Sequence, residues 1–330
     1  MAEPFHCDFS GRLFMGHLGN HLLNAADFHS TDRGFGMKRL MSMNRSWVLS
    51  RLAIEMTEMP RQYTRFTIET WVESAMRYFT SRNFCITELP PTAEGDSQSP
   101  TPSAIPPKVL GYGRSIWAMI DTETRQPTDI FSIDDGAIDN WIESGKPCPI
   151  DKGGRARMSD QAQLVREIDT YYNDVDINGH VNSVKYIEHV LDLWPIDWYR
   201  EHSIRRFEIA YVAEAHAGER LAFYCEQAGT AQGDLQSPLE FCIRICKIVG
   251  DASERCTPVV GDASERCSLV VGDASERCSP VVGDASERCS PVVGDASERC
   301  TPVVGDASER CKERSLVEVA RCKVYFCSIL

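Results

Sequence analysis

The sequence contains no apolar run approaching the roughly 18–20 residues that a membrane-spanning helix needs. None of its 14 cysteines falls in a Cys-x-x-Cys pair. The N-terminus, Met1-Ala-Glu-Pro-Phe-His-Cys7, has neither a basic segment leading into an apolar core nor the Arg/Ser-rich character of a transit peptide. A cytoplasmic location with no membrane span is therefore expected, and the thiols are expected to be free. Basic residues are outnumbered, 35 Lys and Arg against 48 Asp and Glu. The resulting net charge of −13 argues against a general nucleic-acid binder. Six cysteines (256, 267, 278, 289, 300 and 311) recur at an eleven-residue spacing, which suits no zinc ligand set, and no metal is expected.

What remains is a 330-residue chain, 42% hydrophobic and 25% charged, with room for about two globular domains. Two segments are low in complexity. Residues 90–108 form a Pro/Ser-rich connector between strand-like runs at Phe66–Glu88 and Val109–Ile120, and read as an enlarged hairpin loop. From Gly250 to Cys311 the unit GDASERC(S/T)PVV repeats. Its recurrent Gly and Pro preclude a continuous helix, and two valines per unit are few for a solenoid core. The flanks, Leu239–Val249 and Leu316–Phe326, both alternate as strands do, so the repeat reads as an insertion at a hairpin tip. Its units carry −1 each, leaving −7 for the rest of the chain.

The rest divides into two similar halves. In the first, a helical pattern over Leu13–His29 places Leu18, Leu22, Ala25 and Ala26 on one face. Strand-like runs follow at Trp47–Met56, Phe66–Phe79 and Lys108–Ile120. In the second, Val181–Trp194 is expected to be helical, with a stripe of Val184, Ile187, Leu191 and Trp194 ended by Pro195. Strands follow at Arg205–Glu214 and Arg220–Gln227 and at the two flanks of the repeat. A long helix that must bury its stripe, followed by an antiparallel meander, predicts an α+β fold of two tandem hotdog domains, each a helix wrapped by a curved sheet. The expected boundaries are 1–145 and 155–330, the second domain bearing the insertion at 250–311.

The most informative stretch is Asp176-Ile-Asn-Gly-His-Val-Asn-Ser-Val-Lys-Tyr-Ile187. It sets a carboxylate, an amide and an imidazole within five positions at a helix N-terminus, where developing negative charge can be held. Asn178 suits an N-cap, and Asp176 and Gly179 suit the turn before it, so a structural account covers three of the five. Glu214, at the end of Phe207-Glu-Ile-Ala-Tyr-Val-Ala-Glu214, adds an acid. If its strand lies beside the helix start, carboxylate and imidazole can together activate water. Asp8-Phe-Ser-Gly-Arg-Leu13 lies over Asp176-Ile-Asn-Gly-His-Val181 at an offset of 168 residues, keeping the turn and lacking the imidazole.

These runs resemble the acyl-ACP thioesterases of plants and bacteria. Besides the Asp176–Ile187 motif and Tyr211-Val-Ala-Glu214, the resemblance is carried by Gly19-Asn-His-Leu-Leu-Asn-Ala-Ala26, Trp47–Met56, Ile68-Glu-Thr-Trp71 and Ser115-Ile-Trp-Ala-Met119. It covers about residues 5–248 and 316–326. It implies a catalytic C-terminal domain using Asp176, Asn178, His180 and Glu214, and an N-terminal domain that shapes the acyl pocket. It also implies hydrolysis of fatty acyl-acyl carrier protein without cofactor or metal. Plant members carry a cysteine just after the glutamate. Here that position is Ala215, which removes the nucleophile of a Cys–His acyl-enzyme route.

Trp47, Leu49, Leu52, Trp71 and Trp117 are candidates to line the acyl channel. Lys38, Arg39, Arg45 and Arg51 are candidates to dock the acidic carrier. A homodimer is compatible with the resemblance. Two other readings stand beside it: a hotdog hydratase or dehydratase acting at the β-carbon, and a non-catalytic acyl-binding protein built round the repeat.

Overall fold

The first half of the chain contributes α1 (Met15–Asp32), a short α2 (Met37–Met41) and four strands. These are β1 (Arg45–Met56), β2 (Phe66–Ala75), β3 (Phe79–Glu88) and β4 (Lys108–Asp121). The second contributes β5 (Gln163–Asp169), α3 (Ser183–Leu191), α4 (Ile196–Glu201), β6 (His202–Tyr211), β7 (Arg220–Gln227), β8 (Leu239–Val249) and β9 (Ser315–Ser328). In this computed structural model, which describes residues 1–90, 106–154, 156–228, 238–249 and 315–329, the strands form one antiparallel sheet. Their order is β2-β3-β4-β1-β6-β9-β8-β7-β5. The halves join where β1 pairs with β6, from Arg51 opposite Ala210 to Glu55 opposite Arg206. Residues Met1–Val249 and Ser315–Leu330 form one compact unit.

The helices lie where their apolar stripes require. Leu18, Leu22 and Ala26, four residues apart, are buried on α1, whereas Ala25 is only partly covered. Val184, Ile187 and Val190 do the same on α3. The two helices approach closely at Gly16 and Gly19. A Cβ at Gly16 would come within 2.7 Å of Glu188 Cγ, and one at Gly19 within 3.3 Å of Ile187 Cδ1. One core runs from Leu18 and Leu22 through Phe84, Phe207 and Phe223 to Phe326.

Several expectations are corrected. The run Phe66–Phe79 is two strands, reversed at Met76 and Phe79, which exchange backbone hydrogen bonds at 2.7 and 3.3 Å. Neither Gly nor Pro marks that turn, so the alternation reads through it. The helix expected from Val181 starts at Ser183, because Val181 N–H donates to Ala215 O at 2.7 Å and Asn182 N–H to Asp174 O at 2.7 Å. It ends at Leu191, and Pro195 instead caps α4. Both insertions lie between antiparallel neighbours, Glu88 standing opposite Lys108 and Val249 opposite Ser315. The repeat itself lies outside the described residues.

The short internal match is structural. Asp8 Oδ1 accepts the Ser10 amide at 2.8 Å, as Asp176 Oδ1 accepts that of Asn178 at 2.8 Å. Gly11 and Gly179 then turn the chain at φ +72° and +79°. Asp8 N–H meets Arg12 O at 2.8 Å, and Asp176 N–H meets His180 O at 2.9 Å. Arg12 bridges to Arg61 as His180 bridges to His216. The residue two before each bridging partner is Met59 in the first half and Glu214 in the second.

α1 also holds an acid-sensitive group. His29 is 9% exposed, and its Nδ1 has no hydrogen-bond partner. Burial, with the charges of Arg82 and Arg33, pulls it down to about 4. The unfolded chain, titrating near 6.5, binds the proton more readily, so stability is lost as pH falls from about 6.5 towards 4. At pH 5 this amounts to about 2 kcal/mol. Urea unfolding of wild type and His29→Leu at pH 7 and pH 5 checks it: the variant should lose less stability between the two.

Candidate active site

The turn at Asp176 is built by its own side chain. Asp176 Oδ1 accepts the Asn178 amide and Oδ2 lies 3.4 Å from Asn178 Nδ2, while Gly179 N–H returns to Asp176 O at 3.0 Å. Asn178 is thus a turn residue. The N-cap of α3 is Asn182, whose Oδ1 accepts Val184 N–H at 2.9 Å. The shift follows from the strand-like bonds of Val181 and Asn182, which delay the helix. The turn is tied to α3 from beneath: Asp174, 8% exposed, accepts Tyr171 N–H at 2.8 Å and contacts His189 Nε2 at 2.9 Å.

Glu214 follows β6. Ala215, fully buried, accepts the Val181 amide, and His216 Nδ1 lies 3.3 Å from Gly179 O. This pairing draws the two segments together, and His180 Nε2 stands 3.4 Å from Glu214 Oε2, both side chains partly exposed. The His180 ring packs edge-on against His216, centroids 4.9 Å apart. Lys247 Nζ donates to Glu214 O at 3.1 Å and fixes its backbone. Tyr211 Oη donates to Ser183 O at 2.8 Å, anchoring the first turn of α3. An acid, an imidazole and an amide therefore face one space beside a helix N-terminus.

That space is a cavity of about 350 Å³ shared by both halves. Asp176, Asn178, His180 and Glu214 border it, with Tyr186 and Tyr211. Leu23 and Ala26 of α1, Trp47 and Leu49 of β1, and Trp117 of β4 continue its wall towards Thr80 and Arg82 of β3. Leu49 stands opposite Trp117 and Trp117 opposite Thr80, so this wall crosses the sheet. Arg82, 4% exposed, donates to Ser30 Oγ at 3.0 Å and Thr70 Oγ1 at 3.2 Å, and its burial lowers it to about 10.

Of the five candidate channel residues, Trp47, Leu49 and Trp117 line this cavity, and Leu52 and Trp71 do not. Val72 lines it, and strand alternation turns Trp71 to the opposite face, where Lys146 Nζ sits 4.5 Å from its ring. Leu52, opposite Ser115, shares the face of Leu49, opposite Trp117, but is 1% exposed and packs in the core instead of lining the cavity. The irregularity between Leu49 and Arg51 separates the basic candidates. Arg51 faces a small cavity on the other side of the sheet with Glu73 and Lys152. Met37, at the start of α2, lines the main cavity; Lys38 and Arg39 follow it on α2, and Arg45 at the start of β1 donates to Ser132 Oγ at 2.8 Å. One residue absent from the sequence reading touches the site: Arg125 Nη2 donates to Glu214 Oε1. It lies 89 residues away in a turn, and no spacing rule connects the two. Among the described residues, no cluster of three or more His, Cys, Asp or Glu could hold a metal ion, and no helix is long and apolar enough to cross a membrane.

Comparison with known proteins agrees across the chain. The profile of the acyl-ACP thioesterase N-terminal domain matches residues 4–94, and that of the acyl-ACP thioesterase C-terminal domain matches residues 158–252. A solved acyl-ACP thioesterase from Bacteroides thetaiotaomicron is 37% identical with a TM-score of 0.66, the match covering 98% of this chain and 94% of that one. The 12:0-ACP thioesterase from Umbellularia californica, 14% identical, shares the fold at a TM-score of 0.62 over 99% of this chain and 91% of that one. Among curated proteins, the chloroplastic palmitoyl-acyl carrier protein thioesterase of Gossypium hirsutum is 23% identical over 206 residues, 60% of this chain and 46% of that protein. The dodecanoyl-[acyl-carrier-protein] hydrolase of Cinnamomum camphora is 25% identical over 206 residues, 59% of this chain and 50% of that protein. The chain spans about half the length of the curated relatives it matches.

Proposed function

The chain belongs to the acyl-ACP thioesterase family, and from that membership we propose that it hydrolyses the thioester of a fatty acyl-acyl carrier protein, releasing free fatty acid and ending chain growth. The observation that carries the proposal is the Glu214–His180 pair on the wall of a cavity also lined by Leu23, Trp47, Leu49 and Trp117. Such a cavity is within the usual range for a small-molecule site.

In this reading Glu214, aided by His180, orients a water and takes its proton as the water oxygen bonds to the thioester carbonyl carbon. The tetrahedral oxyanion is held by the Asn178 side-chain Nδ2 and by backbone N–H at the start of α3. The Val184 amide is already taken by Asn182, so Ser183 N–H is the one assigned. Collapse breaks the C–S bond, and the proton passes to the leaving thiolate. Asp176 positions Asn178. No step requires a metal or an organic cofactor. Ala215, buried beneath Glu214, accords with a direct attack by water rather than an acyl-cysteine.

We assign catalysis to the C-terminal domain (155–330) and most of the acyl chamber to the N-terminal one (1–145). The acidic carrier protein would dock near α2, through Lys38, Arg39 and Arg45. The reading is made for a cytoplasmic enzyme, although the plant relatives are chloroplastic.

The test is to supply palmitoyl-, oleoyl- and dodecanoyl-acyl carrier protein, the substrates that relatives are named for, and follow free thiol and free fatty acid. Release of both is expected; enoyl thioester without thiol would indicate hydratase or dehydratase chemistry instead. Because Val249 and Ser315 stand opposite each other, replacing residues 250–314 by a two-residue turn should leave kcat/KM within about twofold of wild type. Loss of hydrolysis in that deletion would favour a protein organised round its repeat.

A further inference from the structure

β4 ends at Asp121, and the chain then turns through residues 122–126 to Pro127. Asp121 Oδ1 accepts the Glu123 and Thr124 amides at 3.0 and 2.7 Å and Thr124 Oγ1 at 3.0 Å. Arg125 N–H donates to Asp121 O at 2.9 Å, and Asp121 N–H to Gln126 O at 2.9 Å. The turn is also anchored from outside, Thr122 N–H donating to Asn44 O at 2.9 Å and Asn44 Nδ2 to Glu123 Oε1 at 2.9 Å. Within this closed frame Arg125 adopts φ +60°, the left-handed region that residues with a Cβ occupy at a cost and glycine occupies freely. A long cationic side chain held in that conformation calls for a purpose. Its guanidinium supplies one, because Nη2 donates to Glu214 Oε1. Glu214 is thereby held on both oxygens, Oε1 by the first half of the chain and Oε2 towards His180 of the second.

We infer that Arg125 is a positioning residue for the hydrolysis: it fixes the Glu214 carboxylate so that Oε2 stays turned to His180 and the attacking water. The inference rests on the thioesterase reading above. It makes the first half part of the reaction geometry as well as the wall of the chamber.

The experiment uses the full chain and whichever of palmitoyl-, oleoyl- or dodecanoyl-acyl carrier protein the wild type cleaves fastest. Arg125→Gln should lower kcat roughly 10- to 100-fold with little change in KM, the scale of a misplaced reacting group. Arg125→Lys should restore part of that loss. Arg125→Gly frees the strained backbone, so its thermal midpoint should equal or exceed that of wild type while kcat falls as in Arg125→Gln. Because Arg125 acts through Glu214, Glu214→Gln/Arg125→Gln should be no slower than Glu214→Gln alone. The inference is overturned by an unchanged kcat in Arg125→Gln, by a loss confined to KM, which would mark a carrier contact, or by multiplicative losses in the double variant. A wild type that releases no thiol would remove the functional reading and this inference with it. An active wild type with an unaffected Arg125→Gln removes only the inference.

Discussion

Glu214→Gln is expected to reduce kcat for acyl thioester hydrolysis by about 10²–10⁴-fold, the usual contribution of a positioned general base. The substitution keeps the shape of the side chain and deletes only its basicity, so KM should change little. His180→Ala should fall in the same range. Since the two groups face each other across 3.4 Å and serve one proton transfer, the double variant should lose far less than the product of the two single losses. Folding is not at issue in these variants, because Glu214 and His180 are both partly exposed and the local fold is held by backbone pairing at Ala215. Steady-state kinetics with acyl-acyl carrier protein, alongside thermal unfolding, decide the matter. Hydrolysis by Glu214→Gln at the wild-type rate would remove the carboxylate from the mechanism.

Phe326→Ala should cost about 3–5 kcal/mol of stability, as large aromatic deletions in packed cores do. Phe326 is fully buried near the end of β9. Its ring meets those of Trp194, Trp198, Tyr199 and Phe241 at centroid distances of 4.9, 5.6, 6.0 and 6.0 Å, at steep interplanar angles. These edge-on contacts join the turn after α3, α4, β8 and β9 into one cluster, and little around such a cavity could collapse into it. The midpoint of thermal unfolding should fall by roughly 6–20 °C for a chain of this size. Val317→Ala on the same strand, where the side chain is 38% exposed, should cost less than about 0.5 kcal/mol. Chemical denaturation of the two variants side by side checks the contrast. A cost below about 1 kcal/mol for Phe326→Ala would mean that the strand following the repeat is not packed as described.

Both predictions concern features that were legible to different degrees before any coordinates. Helix periodicity exposed α1 and α3, since Leu18, Leu22 and Ala26, or Val184 and Ile187, identify a face through residues only three or four positions apart. The Asp-x-Asn-Gly-His turn was equally visible, because its bonds run from Asp176 to its near neighbours. Even the sister turn at Asp8 was visible, though its hydrogen-bond pattern, and the Met59 standing where the other copy has Glu214, were not. The helix start was misplaced by two residues because Val181 and Asn182 bond to residues elsewhere in the chain.

Local patterns and the family resemblance therefore pointed to the two-fold plan of helix and meander, to the places where insertions sit, and to Asp176, Asn178, His180 and Glu214 as the candidate set. Each rests on periodicity, turn residues or a family pattern. Tertiary structure decided that both halves share one sheet through β1 and β6, that Trp71 turns away from the chamber while Leu52 packs in the core, that Arg51 leaves the other basic residues, and that Arg125 reaches Glu214. These outcomes follow from strand order and alternation, from a one-residue irregularity in β1 and from a turn closed by its own hydrogen bonds. A strand's facing reverses with each residue of register, and register is set by partners far along the chain.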